Sequence, residues 1–121
     1  MTELRNQIRT TIESEPVVAF VKGTHEQASC GNSLRAMHAL RSVGASFTAV
    51  NVLPDPAIRQ ELSALTNWPT IPQVFIGGEL VGGADIVQEL AANGELEAIL
   101  NEKLGDSWRG ARAEKTVPVL A

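Results

Sequence analysis

The sequence predicts an α/β fold, a single mixed four-stranded sheet with helices on both faces. Three observations carry this. Segments of helical period alternate with short strand-like runs in the order αβαβαββα(α). The first two strand-like runs are separated by a helix, which implies a right-handed parallel crossover. The last two flank Gly77-Gly78, the pattern of an antiparallel hairpin with a tight turn.

Each element has its own signal. Leu4, Ile8 and Ile12 recur at helical spacing, so residues 2–14 read as an amphipathic helix that Pro16 stops. "VVAFV" (17–21) is a short continuous apolar run, as in a strand buried on both faces. "KGTHEQASC" is a loop. Residues 31–43 form a second helix, with Leu34, Met37, Leu40 and Val43 on one side and Gly44 closing it. "SFTAVNV" (46–52) is the second strand. Asp55 caps a helix over 56–65, with Pro56 at its first position. "TNWPTIP" (66–72) is a rigid loop with two prolines. Strands at 73–76 and 79–82 lead to a helix over 83–94 with a glycine stop, then a last helix over 95–105. After Gly105 the periodicity fails. No internal repeat or low-complexity segment interrupts the chain.

Composition limits the function. The 121 residues are the size of one domain, and 44% of them are hydrophobic, enough for one core. The net charge of −4 argues against a phosphate-reading basic face, so no nucleic-acid partner is expected. No apolar run approaches the roughly 20 residues needed to span a bilayer, so no membrane partner is expected. "MTELRNQIRT" is charged and lacks the apolar stretch of a secretory signal. The single cysteine excludes a disulfide scaffold and fits a reducing compartment, so the cytoplasm is the expected location.

That cysteine, Cys30, falls between the loop after the first strand and the start of the second helix. Ligands of open α/β sheets bind at the carboxyl ends of strands. A helix N-terminus carries about half a positive charge and unpaired N–H groups, which favour a thiolate. Lys22, at the same strand end, adds positive charge. The thiolate is both nucleophile and metal ligand. A buried, inert cysteine is the structural alternative. The neighbours Ser29, Gly31, Asn32 and Ser33, small or polar, speak against it.

With "KGT" (22–24), "CGNS" (30–33) and "WPTIPQVFIGGELVGGADI" (68–86) at their spacing, the chain resembles the monothiol glutaredoxins, a branch of the thioredoxin fold. The match covers roughly residues 3–104. Residues 1–104 are thus expected to be the glutaredoxin domain and 105–121 a flexible C-terminal tail. Two departures stand out. Asn32 replaces the phenylalanine of the family's usual Cys-Gly-Phe-Ser, and Ala84 replaces a cysteine that many relatives carry. A dithiol oxidoreductase needs Cys-x-x-Cys, and Ser33 fills the resolving slot. The second sulfur must therefore be external, and glutathione is the abundant thiol.

The resemblance carries glutathione-binding roles onto residues of this chain. Lys22 and Arg59 are candidates for a carboxylate, Asp85 for the ammonium, and the backbone N–H groups of Ala84 and Asp85 for the γ-glutamyl carboxylate. Ile71 and Pro72 match the family's cis-proline turn, whose backbone would pair with the cysteinyl part of the tripeptide. Each residue also has an ordinary structural role open to it. Lys22 can be a solvated strand-end charge, Arg59 can pair with Asp55 one helical turn away, and Asp85 can cap its helix. Trp68 can be plain packing. His25 and His38 have no second metal ligand at a familiar spacing and are expected to be non-functional.

The resemblance also implies a function. A [2Fe–2S] cluster wants four ligands, usually thiolates. Two copies of Cys30 and two glutathione molecules supply them. This gives a cluster-bridged homodimer, a monomeric apo protein, and transfer of clusters to iron–sulfur client proteins. The competing expectation is enzymatic, a glutathione-dependent monothiol oxidoreductase that removes glutathione from mixed disulfides. In the family, a loop of the length of "KGTHEQASC" accompanies cluster binding. Asn32 shields a cluster less well than phenylalanine would.

Overall fold

A computed structural model describes residues 2–109 and 114–118. The element order is α1 (Thr2–Ser14), β1 (Val17–Val21), α2 (Gly31–Ser42), β2 (Thr48–Asn51), α3 (Pro56–Thr66), β3 (Gln73–Ile76), β4 (Glu79–Gly82), α4 (Ala84–Ala92), α5 (Glu95–Leu104) and β5 (Lys115–Val117). The sheet runs β4-β3-β1-β2-β5. β1 pairs with β2 in parallel and with β3 antiparallel, and β4 closes the hairpin against β3.

The sheet has five strands, not the expected four. The fifth, Lys115–Val117, lies parallel to β2 within the stretch read from sequence as a tail. It is an edge strand of three residues, none of them buried, so it lacks the apolar run that marks the central strands. Residues 110–113 and 119–121 of that stretch lie outside the described residues. Trp108, before it, is buried, and its indole N–H donates to Asn101 Oδ1 at 2.9 Å.

β1 explains the two-layer packing. Side chains alternate across a strand, and here both faces are covered. Val17, Ala19 and Val21 point into a core with Met37, Leu40, Val74, Leu96 and Leu100. Val18 and Phe20 point into the opposite core with Ile8, Ile12, Ile58, Leu62 and Phe75. All five β1 residues are buried. Phe20 meets Phe75 edge-to-face, with ring centroids 5.7 Å apart. α2, α4 and α5 thus cover one face, and α1 and α3 the other.

The register fixes what meets at one end of the sheet. Phe20 sits opposite Gln73, so the carboxyl end of β1 faces the start of β3. The loop before Cys30, the proline loop before β3 and the start of α4 are thereby brought towards one edge.

Candidate functional site

The loop from Lys22 to Cys30 is folded on itself. Gly23 bridges Ala28, the Ser29 N–H donates to Lys22 O at 2.7 Å, and Thr24 N–H donates to Gln27 O at 3.0 Å. Gly23 has φ +121°, and a Cβ there would lie 2.4 Å from Gln27 O, so only glycine fits. Asn51, at the end of β2, anchors the turn: its Oδ1 accepts the N–H groups of Gly23 and Leu53, both at 3.0 Å.

Cys30 is the N-cap of α2, in extended conformation, and its side chain is partly exposed. Its thiol pKa is lowered. The backbone N–H of Ser33 is the largest cause, partial burial works against it, and the N–H of Asn32, the Ser33 hydroxyl and the charge of Lys22 add to the lowering. These are the unpaired N–H groups of the first helical turn. Ser33 is fully buried, and its Oγ accepts the N–H of Lys22 at 3.0 Å. The residue read from sequence only as the absence of a second thiol therefore ties β1 to α2 and turns its hydroxyl towards the sulfur.

Beside this turn lies a groove of about 350 Å³. Asn32 forms one wall, Trp68 to Pro72 a second, and Gly83, Ala84, Asp85 and Ile86 a third. The Ile71–Pro72 bond is cis, as expected. Gln73, fully buried, holds the proline loop. Its Nε2 donates to the carbonyls of Trp68 (2.9 Å) and Thr70 (3.2 Å), and its Oε1 accepts the Thr66 hydroxyl at 3.1 Å. Gly83 lets α4 approach this loop closely: a Cβ there would stand 3.3 Å from Pro72 O and 3.5 Å from the buried indole nitrogen of Trp68.

Of the residues singled out in sequence, the groove gathers Ile71, Pro72, Ala84 and Asp85. Cys30 is two residues from its Asn32 wall, and Lys22 is joined to the same turn through Ser33. Arg59 does not line the groove. It is not paired with Asp55 either; its Nη2 donates to Pro69 O at 3.3 Å, while Asp55 caps α3 through Ala57 N–H. Asp85 carries an ion pair that sequence reasoning did not anticipate, with Arg35 at 2.6 Å. Arg35 stands three residues after Asn32, a spacing that signals its contact with Asn32 but not its reach across to α4. His38 is exposed. His25 is held by Thr116 of β5, whose Oγ1 takes its backbone N–H at 2.8 Å and lies 2.6 Å from ring Nδ1.

Comparison with known proteins agrees with this architecture. The family profile described as glutaredoxin matches residues 17–81, more than half of the chain. A probable monothiol glutaredoxin of Rickettsia typhi is 46% identical over 96 residues, which is 79% of this chain and 86% of that protein. The solution structure of a reduced apo glutaredoxin from poplar superposes with a TM-score of 0.74 at 37% identity, covering 84% of this chain and 93% of that one. The crystal structure of a buckwheat glutaredoxin–glutathione complex superposes with a TM-score of 0.73 at 29% identity, covering 84% and 90%. A single thiol at the start of α2, with serine one turn on, agrees with the sequence match: the chain belongs to the glutaredoxin family, in its monothiol branch.

Proposed function

We propose that this protein binds glutathione in the groove and, with a second copy of itself, holds a [2Fe–2S] cluster for delivery to iron–sulfur client proteins. The observation that carries this reading is the single activated sulfur beside a groove whose walls offer both peptide backbone and charge. Cys30 is the free cysteine, and among the described residues no group of three or more His, Cys, Asp or Glu side chains stands together to hold a metal. One chain thus offers one thiolate. Its donor chemistry fits: it is partly exposed, and the helix start favours the charged form. Cys30 from each of two copies and two glutathione thiolates complete the four ligands that such a cluster takes. When bound, the cluster is both a redox centre and the cargo. The glutathione complex of the buckwheat relative supports the tripeptide as the ligand.

The chain's own residues do the rest. The N–H groups of Ser33 and Asn32 favour the ionised form of Cys30. The proline loop, braced by Gln73, offers backbone for strand-like pairing with the tripeptide. The first turn of α4 receives a carboxylate.

A second reading has Asn32 in its favour, because an exposed amide at the groove wall leaves the sulfur open to water and to a disulfide. Cys30 thiolate attacks the glutathione sulfur of a protein–glutathione disulfide. A Cys30–glutathione disulfide forms and the client thiolate leaves. A second glutathione thiolate then attacks that glutathione sulfur, releasing glutathione disulfide and restoring Cys30.

Anaerobic reconstitution with iron, sulfide and glutathione, followed by visible absorption and size-exclusion chromatography, separates the two. The expected result is a coloured dimer that reverts to colourless monomer on removal of glutathione and never forms with Cys30→Ser. A colourless monomer throughout would overturn the cluster reading and leave the reductase.

A further inference from the structure

Arg35 sits on α2 and reaches across the groove's end to α4. Its Nη2 lies 2.6 Å from Asp85 Oδ1 and 2.6 Å from Gln88 Oε1. Its Nε donates to Gln88 Oε1 at 3.1 Å, and its Nη1 to Asn32 Oδ1 at 2.9 Å. Asn32 and Asp85 are groove-wall residues. The guanidinium therefore joins two walls of the same groove and places a cation directly beside the acid at its end. Both partners are open to water, with side-chain exposures of 41% and 89%. An ion pair in that setting is weak and opens readily.

A cation and an anion side by side at the end of a groove match a ligand that carries the reverse pair on one carbon atom. That is the α-amino-acid zwitterion. Glutathione has one such group, the γ-glutamyl head; its glycine end has a carboxylate and no ammonium. Resting on the glutathione reading above, we propose that Arg35 is a specificity residue that joins the first-turn N–H groups of α4 in receiving the α-carboxylate of the γ-glutamyl head, while the Asp85 side chain receives its ammonium. The Arg35–Asp85 pair opens, and each partner takes the opposite charge of the ligand, so no charge is left unpaired. The planar fork of arginine suits a carboxylate, to which it can donate two parallel N–H bonds. The amide of Asn32 and the side chain of Gln88 hold the fork at the groove mouth before the ligand arrives, which lessens the side-chain ordering that binding requires.

The test compares two thiol-blocked ligands by calorimetric titration of the reduced apo protein. One is S-methylglutathione. The other is its γ-aminobutyryl analogue, which keeps the ammonium and lacks only the α-carboxylate. The natural chain is expected to bind S-methylglutathione more tightly. Arg35→Gln, which keeps a polar side chain without charge, should weaken S-methylglutathione roughly tenfold, the size of a charge-assisted hydrogen bond, and should not weaken the analogue, whose ammonium then meets Asp85 without a competing cation. Arg35→Lys should fall between, since it keeps the charge without the fork. Equal weakening of both ligands, or no change in either, would reduce Arg35 to a clip between two helices. Tighter binding of S-methylglutathione by Arg35→Gln would make it a competitor for Asp85 and overturn the proposal. Failure of the natural chain to bind either ligand would sink the glutathione reading itself, a result distinct from all of these. Melting temperatures of the variants report whether the fold is kept.

Discussion

At the scale of single residues, the chemistry rests on Ser33 as much as on Cys30. The backbone N–H of Ser33 is the main cause of the lowered thiol pKa, and its hydroxyl adds to it while accepting the Lys22 N–H. Replacing Ser33 by alanine removes the hydroxyl and leaves both helix-start N–H groups. The pH midpoint of Cys30 alkylation by iodoacetamide should then rise but stay below that of Cys30 in the urea-unfolded chain. A midpoint for the natural protein at or above the unfolded value would refute the helix-start account. Linkage gives a second readout with a fixed sign. A folded thiol pKa below the unfolded one stabilises the fold above the unfolded pKa, and this contribution fades as pH falls through the folded value. Cys30→Ser should lose that slope. Ser33→Ala also strips the Lys22 N–H of its acceptor, at a cost of about 1–3 kcal/mol. The importance of Cys30 was legible in sequence because a thiol between a strand and a helix has few other meanings. The role of Ser33 was not, since its burial and its bond to Lys22 depend on how β1 and α2 meet.

Among the elements, β5 does what no local pattern announces. It pairs with β2 and carries Thr116 onto His25, in the loop that leads to Cys30. Glu114, just before it, takes Nε and Nη2 of Arg41 at 2.9 and 2.8 Å, and the same Nη2 donates to the His25 carbonyl. Strand, helix α2 and loop thus share one polar knot. Arg41 holds the Glu114 carboxyl below its ordinary range, chiefly by direct hydrogen bonds. A depressed carboxyl pKa stabilises the knot above the ordinary value of about 4.3, and that hold is lost as pH falls through the lower folded value. Amide hydrogen exchange of His25 and Val117 reads the knot directly. Glu114→Gln should speed it at neutral pH by up to about fivefold, as for a partly exposed ion pair. At a pH where Glu114 is protonated in the fold, the variant and the natural chain should exchange alike. Unchanged exchange of His25 at neutral pH would mean that the loop is held by its own turn alone. The other strands and the helices were legible because their apolar residues recur at period 2 or 3.6 or run unbroken, whereas Lys-Thr-Val is too short and too exposed to stand out.

For the molecule as a whole, the two cores and the groove meet different demands. Packing on both faces of β1 holds the sheet, while the groove is assembled from three distant stretches, around Asn32, from Trp68 to Pro72 and from Gly83 to Ile86. The sequence carried the residue types of those stretches but not their meeting, which comes from the antiparallel register of β3 on β1 and from the closeness that Gly83 permits. Because the groove exists only in the folded chain, any ligand it binds must stabilise the whole. At a concentration of S-methylglutathione ten times its dissociation constant, the native state gains about 1.4 kcal/mol by mass action, a rise in melting temperature of roughly 5 °C for a chain of this size. Two variants separate binding from packing. Ile12→Val, in the core between α1 and the sheet, should cost about 0.5–1.5 kcal/mol and lower the melting temperature, yet keep the full ligand-induced rise, because Ile12 lies on the face covered by α1 and α3. Asp85→Ala should melt close to the natural chain, its exposed ion pair contributing little, and should lose most of the rise. If Asp85→Ala keeps the rise intact, the tripeptide binds elsewhere, and the groove between α2, the proline loop and α4 is not its site.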